Sequence, residues 1–237
     1  MDLKGKVVLV TGAARRVGRA IAEGLARDGA RLAVHYHTAG PEADDAVRAS
    51  GGEGFPADLR DPGAAEELPR RVLARMGRLD VVVNSAAVML RQPFGEITAD
   101  DWNGVLNLNL RAAFFVSQGA APALRKARGR IVNISDVGGL EPWPAYLPHS
   151  ISKAGIEMLT RGLAKVLAPE VNVNAVAPGP VLLPERWSKE AAERTVANTP
   201  LGRLGTPDDV VNAVRFLLDA DYMTGSTIVV DGGQHIR

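Results

Sequence analysis

A glycine-containing segment near the start of the chain could bind a phosphate group. It runs from Thr11 to Gly18, directly after an apolar run and directly before a segment with helical periodicity. Gly12 can adopt a tight turn, and Gly18 would let the helix approach the strand closely. The first turn of a helix offers unpaired N–H groups and a positive dipole end to a pyrophosphate. The segment therefore predicts a dinucleotide-binding turn, with an ordinary strand–helix connection as the alternative.

Two adjacent arginines, Arg15 and Arg16, lie in this turn. A guanidinium group binds phosphate through paired hydrogen bonds, so these side chains could hold the 2′-phosphate of NADP. The second apolar run ends in His35–Thr38 and lacks the acidic residue that would bind the ribose hydroxyl of NAD. We therefore predict NADP(H) as the coenzyme, with a solvated basic pair as the alternative. No third ligand accompanies His35 and His37, so no metal site is predicted.

His149 and Lys153 could take part in proton transfer. They are four residues apart in a segment of helical periodicity, so their side chains share one helix face. An imidazole can both donate and accept protons near neutrality, because its unperturbed pKa is about 6.5.

Short β-branched runs alternate with longer segments of helical period, the pattern of βαβ units and a parallel sheet. The predicted strands are Val7–Val10, Arg31–His35, Glu53–Ala57, Val81–Val83, Arg130–Ile134, Val171–Val176 and Thr227–Val230. The predicted helices are one between Val17 and Gly29, Ala99–Lys126, His149–Ala168 and one that begins at Pro207. These elements predict an α/β fold: a single doubly wound Rossmann domain over residues 1–237, with a seven-stranded parallel sheet and helices on both faces.

The segment Pro180–Pro200 is polar, bounded by prolines and weakly patterned, so it is predicted to form a lid over the cleft.

The composition excludes several classes of function. Apolar residues make up 46% of the chain and charged residues 23%, which is enough for a core and argues against disorder. The 28 basic and 27 acidic residues nearly balance, so neither a nucleic-acid nor a membrane partner is expected. There is no cysteine, which removes disulfides and thiolate chemistry. Because Met1 is followed almost at once by a strand-like segment, the expected location is cytoplasmic.

Further motifs follow the glycine turn in a fixed order. They are Asp58-Leu59, Asn84-Ser85-Ala86-Ala87 after the fourth strand, Trp102 seven residues before Asn109, Pro178-Gly179, and Val230-Asp231-Gly232-Gly233. In these motifs, and in a glycine turn that has Arg16 in place of a middle glycine, the chain resembles the short-chain dehydrogenase/reductase family over essentially its whole length. The turn and the resemblance together imply that the coenzyme contacts Gly12, Arg15, Arg16, Val17, Gly18, His35, Tyr36, His37, Thr38, Asp58, Leu59, Asn84, Ser85, Ala86, Lys153, Pro178, Gly179 and Val181.

Within the family, the chain looks most like the pteridine reductase branch. The shared segments are residues 13–18, His35–His37, Val173–Pro184 and Thr199–Thr206. The branch usually has an arginine where this chain has Thr38, and an aromatic residue where it has Met89. The resemblance implies a dihydropterin-like small-molecule substrate that contacts Met89 and Tyr146, while Trp143 and Trp187 lie in segments that could also border the cleft and contact the substrate.

The family's catalytic residues are only partly present. Lys153 matches the family's lysine, but His149 stands at the tyrosine position and Asp136 at the serine position, and the aspartate is itself a feature of pteridine reductases. The resemblance implies hydride transfer from the nicotinamide to a carbonyl or imine carbon, with a proton delivered to the heteroatom. Asp136 would favour an imidazolium, whereas Lys153 would oppose it.

We accordingly expect Asn109 to support a water relay, Asp136 to orient and charge His149, His149 to donate the proton, and Lys153 to hold the ribose. One alternative is a carbonyl or 3-oxoacyl reductase that uses the same residues. A second is an NADP-binding protein with little catalysis, because the usual tyrosine is absent. The resemblance also implies a homotetramer or homodimer built on Ala99–Lys126 and His149–Ala168.

Overall fold

The computed structural model describes residues 1–183 and 188–236 and contains one seven-stranded sheet. The strands are β1 (Val7–Val10), β2 (Arg31–Tyr36), β3 (Glu53–Pro56), β4 (Val81–Asn84), β5 (Arg130–Ile134), β6 (Asn172–Pro178) and β7 (Thr227–Val230). Their order across the sheet is β3-β2-β1-β4-β5-β6-β7, and every neighbouring pair is parallel. The predicted doubly wound α/β fold is therefore confirmed.

The described helices cover both faces of this sheet. They are α1 (Arg16–Arg27), α2 (Pro41–Ser50), α3 (Pro62–Met76), α4 (Ala99–Leu106), α5 (Ala112–Ala127), α6 (Leu147–Leu167), α7 (Lys189–Ala197) and α8 (Pro207–Asp219). Within the described residues, no helix combines the length and the apolar character needed to cross a membrane.

Two apolar clusters form the core, one on each face of the sheet. On one face, Ile21 and Leu25 of α1 pack with Val210 and Val214 of α8. On the other, residues of α3, α5 and α6 pack together, including Leu68, Val116 and Leu167. The central strands β1 and β4 are buried along their whole length, as expected of valine-rich strands covered on both sides.

Several boundaries differ from the prediction. The sequence pattern did not predict α2 and α3. The helix predicted over Ala99–Lys126 is two α-helices, α4 and α5, joined by a π-helical turn at Asn107–Arg111. A single π turn inside a helix often marks a functional position. The predicted lid contains α7, and its residues 184–187, including Trp187, lie outside the described residues.

A buried carboxylate ties the start of β1 to the start of β4. Asp80 is fully buried and accepts hydrogen bonds from the Val7 backbone N–H at 2.9 Å and from the Arg78 guanidinium at 2.6 and 2.7 Å. Burial alone would raise the pKa of Asp80, but the bonds from Arg78 and Val7 outweigh it and lower that pKa. The carboxylate therefore stays charged and paired at the amino end of the sheet, opposite the candidate site.

Candidate coenzyme and active site

The glycine turn between β1 and α1 depends on two close approaches. Gly12 has φ of +66°, and a Cβ added to it would lie 2.9 Å from the Ala86 Cα. A Cβ on Gly18 would overlap the Gly12 carbonyl oxygen. Thr11 completes the junction, because its Oγ1 accepts hydrogen bonds from the backbone N–H groups of Ser85 and Ala86 at 2.9 and 3.1 Å. Any larger residue at either glycine would push the turn away from the loop after β4.

The first turn of α1 is suited to an anion. Arg15 occupies the N-cap position and its side chain caps no backbone N–H, and no acidic residue lies in the first turn. Within the part of the chain that the structure describes, the N–H groups at this helix end thus have no side-chain acceptor, and both Arg15 and Arg16 are exposed. The residues present therefore fit the pyrophosphate of a dinucleotide.

Arg16 also connects this turn to the segment after β6. It has φ of +55°, and its Nη2 donates to the Leu182 carbonyl oxygen at 2.8 Å. This contact joins residues 166 positions apart and brings the first residues of the predicted lid close to the glycine turn.

His35 supports the glycine turn through a hydrogen bond to Gly12. Its Nδ1 accepts a hydrogen bond from the Gly12 N–H at 3.0 Å, so its Nε2 carries the hydrogen and donates to the Ala57 carbonyl oxygen at 3.1 Å. Burial lowers the pKa of His35 to about 4. Both ring nitrogens are used by the backbone, so His35 is a neutral imidazole that holds Gly12 in place. Its predicted contact with the coenzyme stays a prediction.

The other predicted coenzyme positions surround the carboxyl ends of the strands. His37 and Thr38 are exposed after β2, and the His37 Nε2 lies 3.7 Å from the Asp58 Oδ2. Asn84 is buried: its Nδ2 donates to the Asn133 Oδ1 at 2.9 Å, and its Oδ1, at a small cavity, has no hydrogen-bond partner among the described residues. The remaining positions are partly or fully buried: Val17, Tyr36, Leu59, Pro178, Gly179 and Val181.

The predicted catalytic residues meet beside the carboxyl end of β5. The first turns of α6 place His149 and Lys153 on one face, and both are 4% exposed. Asp136 follows β5, and its Oδ1 accepts from the Gly138 N–H at 2.8 Å. That bond holds the carboxylate so that its Oδ2 lies 3.6 Å from the His149 Nε2. The predicted Asp136–His149 pair is therefore in place, although this distance is too long for a formed hydrogen bond.

The hydrogen bonds of Asn109 determine the tautomer of His149. Asn109 lies in the π turn, and its amide hydrogens go to the Val88 carbonyl oxygen at 2.9 Å and the Ser152 Oγ at 3.0 Å. With both hydrogens used, the amide has none for the His149 Nδ1, 3.4 Å away. That Nδ1 lies 3.3 Å from the Val88 carbonyl oxygen, so it carries a hydrogen and donates there.

This leaves the His149 Nε2 buried and without a hydrogen-bond partner among the described residues, facing Asp136. Asn109 accepts from the Val88 N–H at 2.8 Å as well, so its contacts hold the loop after β4. Its predicted part in a water relay stays a prediction.

Lys153 lies beneath this pair. Its Nζ donates to the Ile134 carbonyl oxygen at 2.7 Å. Burial lowers the pKa of Lys153 to about 8, although Asp136 and Glu157 act in the opposite direction. The ammonium group is thus only moderately stable in its charged form near neutral pH.

The predicted substrate residues line the outer side of His149. The Trp143 ring is nearly parallel to the imidazole, with an interplanar angle of 17° and 6.4 Å between centroids. It meets Tyr146 edge to face at 6.2 Å. Met89 is 36% exposed in the loop after β4, and the Gln92 N–H of that loop donates to the Ala145 carbonyl oxygen at 3.0 Å. The structure thus brings the segments of all three residues to one side of the site.

Two serines of α6 belong to the site and were not predicted. Ser152 accepts from Asn109, and the Ser150 Oγ accepts from the Trp143 N–H at 3.2 Å. Their spacing from His149, one and three residues, was the available signal, but serines are common in the first turns of helices for capping alone.

Comparisons with known proteins agree with this geometry. A family model described as enoyl-(acyl carrier protein) reductase matches residues 12–235. The 3-oxoacyl-[acyl-carrier-protein] reductase of Thermotoga maritima is 35% identical over 98% of this chain and 99% of its own. The corresponding enzyme of Escherichia coli is 32% identical over the full length of both.

Solved structures also resemble the chain over nearly its whole length. A short-chain dehydrogenase/reductase from Serratia marcescens superposes with a TM-score of 0.92 at 31% identity, over 99% of this chain and all of its own. A blue fluorescent protein from a metagenomic library, in complex with NADPH, superposes with a TM-score of 0.91 at 33% identity, over 99% of each chain. Because the family model and these relatives match nearly the whole chain, the chain belongs to the short-chain dehydrogenase/reductase family of oxidoreductases.

Proposed function

We propose that this chain is an NADPH-dependent reductase of a carbonyl group, with a 3-oxoacyl thioester as the first candidate substrate and His149 as the proton donor. The observation that carries the proposal is the buried His149 Nε2, 3.6 Å from the Asp136 Oδ2 and without a hydrogen-bond partner among the described residues. The 3-oxoacyl reductases that resemble the chain over its whole length support the substrate class.

The coenzyme would lie across the carboxyl ends of the strands. The first turn of α1 would hold its pyrophosphate, and Arg15, Arg16, His37 and Thr38 are the polar residues available for a 2′-phosphate. NADPH supplies, when bound, a hydride to the carbonyl carbon. Lys153 would hold the nicotinamide ribose through its ammonium group. The NADPH complex of a structural neighbour is consistent with this choice of coenzyme.

The arrangement of hydrogen-bond donors and acceptors in the His149–Asp136 pair favours proton donation. Because Nδ1 carries a hydrogen, a neutral imidazole would present the lone pair of Nε2 to the carboxylate oxygen, and two acceptors would face each other. One proton between the two atoms removes this conflict. During reduction that proton passes to the substrate oxygen while the carbon receives the hydride, which yields an alcohol and leaves the pair to regain a proton from water.

A dihydropterin substrate, and with it the assignment to the pteridine reductase branch, stays a prediction. Trp143 stacks on His149, and the chain has Met89 where that branch has an aromatic residue. Methionine stacks on a planar ring less effectively. A carbonyl substrate needs no such stacking, so it is the better-supported choice.

Turnover measurements test the proposal. Oxidation of NADPH should follow addition of a 3-oxoacyl thioester, with quinones and dihydropterins as comparison substrates. His149→Ala should lower turnover at least ~100-fold, the usual scale for a lost acid, and leave NADPH binding nearly unchanged. An unaltered rate in His149→Ala would remove the imidazole from the mechanism. Tight NADPH binding without turnover on any of these substrates would favour the binding-protein alternative, and a large gain in His149→Tyr would mean that the natural chain is catalytically impaired.

We also propose that the chain forms a homotetramer or homodimer through α4, α5 and α6. These helices expose large apolar side chains, namely Trp102, Phe114, Ile151, Met158 and Val166. Exposed apolar groups on adjacent helices are typical of protein interfaces. Light scattering after size-exclusion chromatography measures the assembly, and a monomer at micromolar concentration would contradict the proposal.

A further inference from the structure

The Trp143 indole lies against the imidazole of the proposed proton donor. The two ring planes differ by 17° and their centroids are 6.4 Å apart, which is an offset parallel arrangement. The sequence pattern predicted only a substrate contact for Trp143. In the structure, one face of its indole is turned toward His149.

Trp143 is held in this orientation from several sides. Its backbone N–H donates to the Ser150 Oγ at 3.2 Å, which ties it to the residue after His149. Its Nε1 donates to the Glu141 Oε1 at 3.4 Å. A Cβ added to Gly138 would lie 3.1 Å from two atoms of the indole, so the ring rests directly on the backbone there. The indole is therefore a fixed surface.

The imidazole, in contrast, is weakly fixed by hydrogen bonds. Its Nδ1 bond to the Val88 carbonyl oxygen is long, at 3.3 Å, and its Nε2 makes none within the described residues. Rotation of the ring about its Cβ–Cγ bond would turn Nε2 away from Asp136. A parallel indole opposes such a rotation because the turned ring would collide with it, and its π face also favours a positively charged imidazole.

We propose that Trp143 is a positioning residue: its indole holds the His149 ring in the plane that points Nε2 at Asp136, and its fluorescence reports the contact with that ring. The first part rests on the proposed function of His149. The second part rests on the ring contact alone, so the two can fail separately.

Fluorescence tests the contact without any substrate. Trp102→Phe combined with Trp187→Phe leaves Trp143 as the single tryptophan of the three in the chain. A histidine ring in contact with an indole quenches its emission, so His149→Gln in the same background should raise that emission. Unchanged emission in His149→Gln would overturn the reporter role.

Kinetics tests the positioning. Trp143→Ala should lower kcat about tenfold while KM changes less than about threefold, because a misoriented donor slows the chemical step. Trp143→Phe, which retains a planar ring, should recover most of the rate. Phe216→Ala, an exposed aromatic residue of α8 remote from the site, is the matched control and should leave both constants unchanged. An equal loss of kcat in Trp143→Phe and Trp143→Ala, or no loss in either, would refute the positioning role even if the chain is a reductase.

Discussion

Acidification should destabilise this protein through His35. The pKa of His35 is lowered from 6.5 to about 4 by burial, so the unfolded chain takes up a proton at a higher pH than the folded chain does. The contribution of His35 to stability is therefore fully present above pH 6.5 and is lost as the pH falls toward about 4. Each unit of pKa difference corresponds to about 1.4 kcal/mol, so the full loss is about 3 kcal/mol.

Urea denaturation measures this loss directly. Between about pH 7 and about pH 5, the linkage of His35 alone should lower the free energy of unfolding by about 2 kcal/mol. In His35→Gln, which cannot titrate but retains an amide able to donate to the Ala57 carbonyl oxygen, this part of the pH dependence should disappear. Other ionisable groups contribute equally to both proteins, so the difference between them isolates His35.

The exposed histidine of the same strand end provides the control. His37→Gln should have the pH dependence of the natural chain, since its side chain is 58% exposed. If His35→Gln and the natural chain lose the same stability over this range, the buried neutral imidazole under Gly12 is refuted. The loss should also coincide with weaker NADPH binding, because the Gly12 N–H loses its acceptor when the Nδ1 is protonated.

Three further predictions concern other parts of the molecule. Gly18→Ala should abolish NADPH binding and destabilise the fold, because its Cβ would overlap the Gly12 carbonyl oxygen. Gly162→Ala in α6, where a Cβ meets open space, should raise the free energy of unfolding by about 1 kcal/mol at most. NADPH affinity should fall as the pH rises through about 8, where Lys153 loses its charge, and Lys153→Arg should remove this dependence; a flat titration of the natural chain would contradict the lowered pKa. Asp80→Ala should cost about 2 kcal/mol in urea denaturation, because the Val7 N–H is left buried without an acceptor, and a cost near zero would be inconsistent with that bond.

The sequence was most informative where a local pattern is strong. The strands β1, β5 and β7 have the predicted boundaries, because short runs rich in β-branched residues leave few other structures available. The helices α2 and α3 were not predicted. Half of the residues of α2 are polar or charged, and α3 has Pro69 in its interior, so their apolar stripes are weak in the sequence and form only against β2, β3 and α5.

The residues of the candidate site could be selected from the sequence, because the glycine turn and the spacing of His149 and Lys153 depend on nearest neighbours along the chain. Their roles could not be. The roles depend on contacts between distant segments. Such contacts decide whether His35 contacts the coenzyme or supports Gly12, which partner of Nδ1 sets the tautomer of His149, and which face of Trp143 is free. A sequence determines which local structures are favourable, whereas burial and hydrogen-bond partners exist only once the strands and helices pack together, and these decide the charge and orientation of each group.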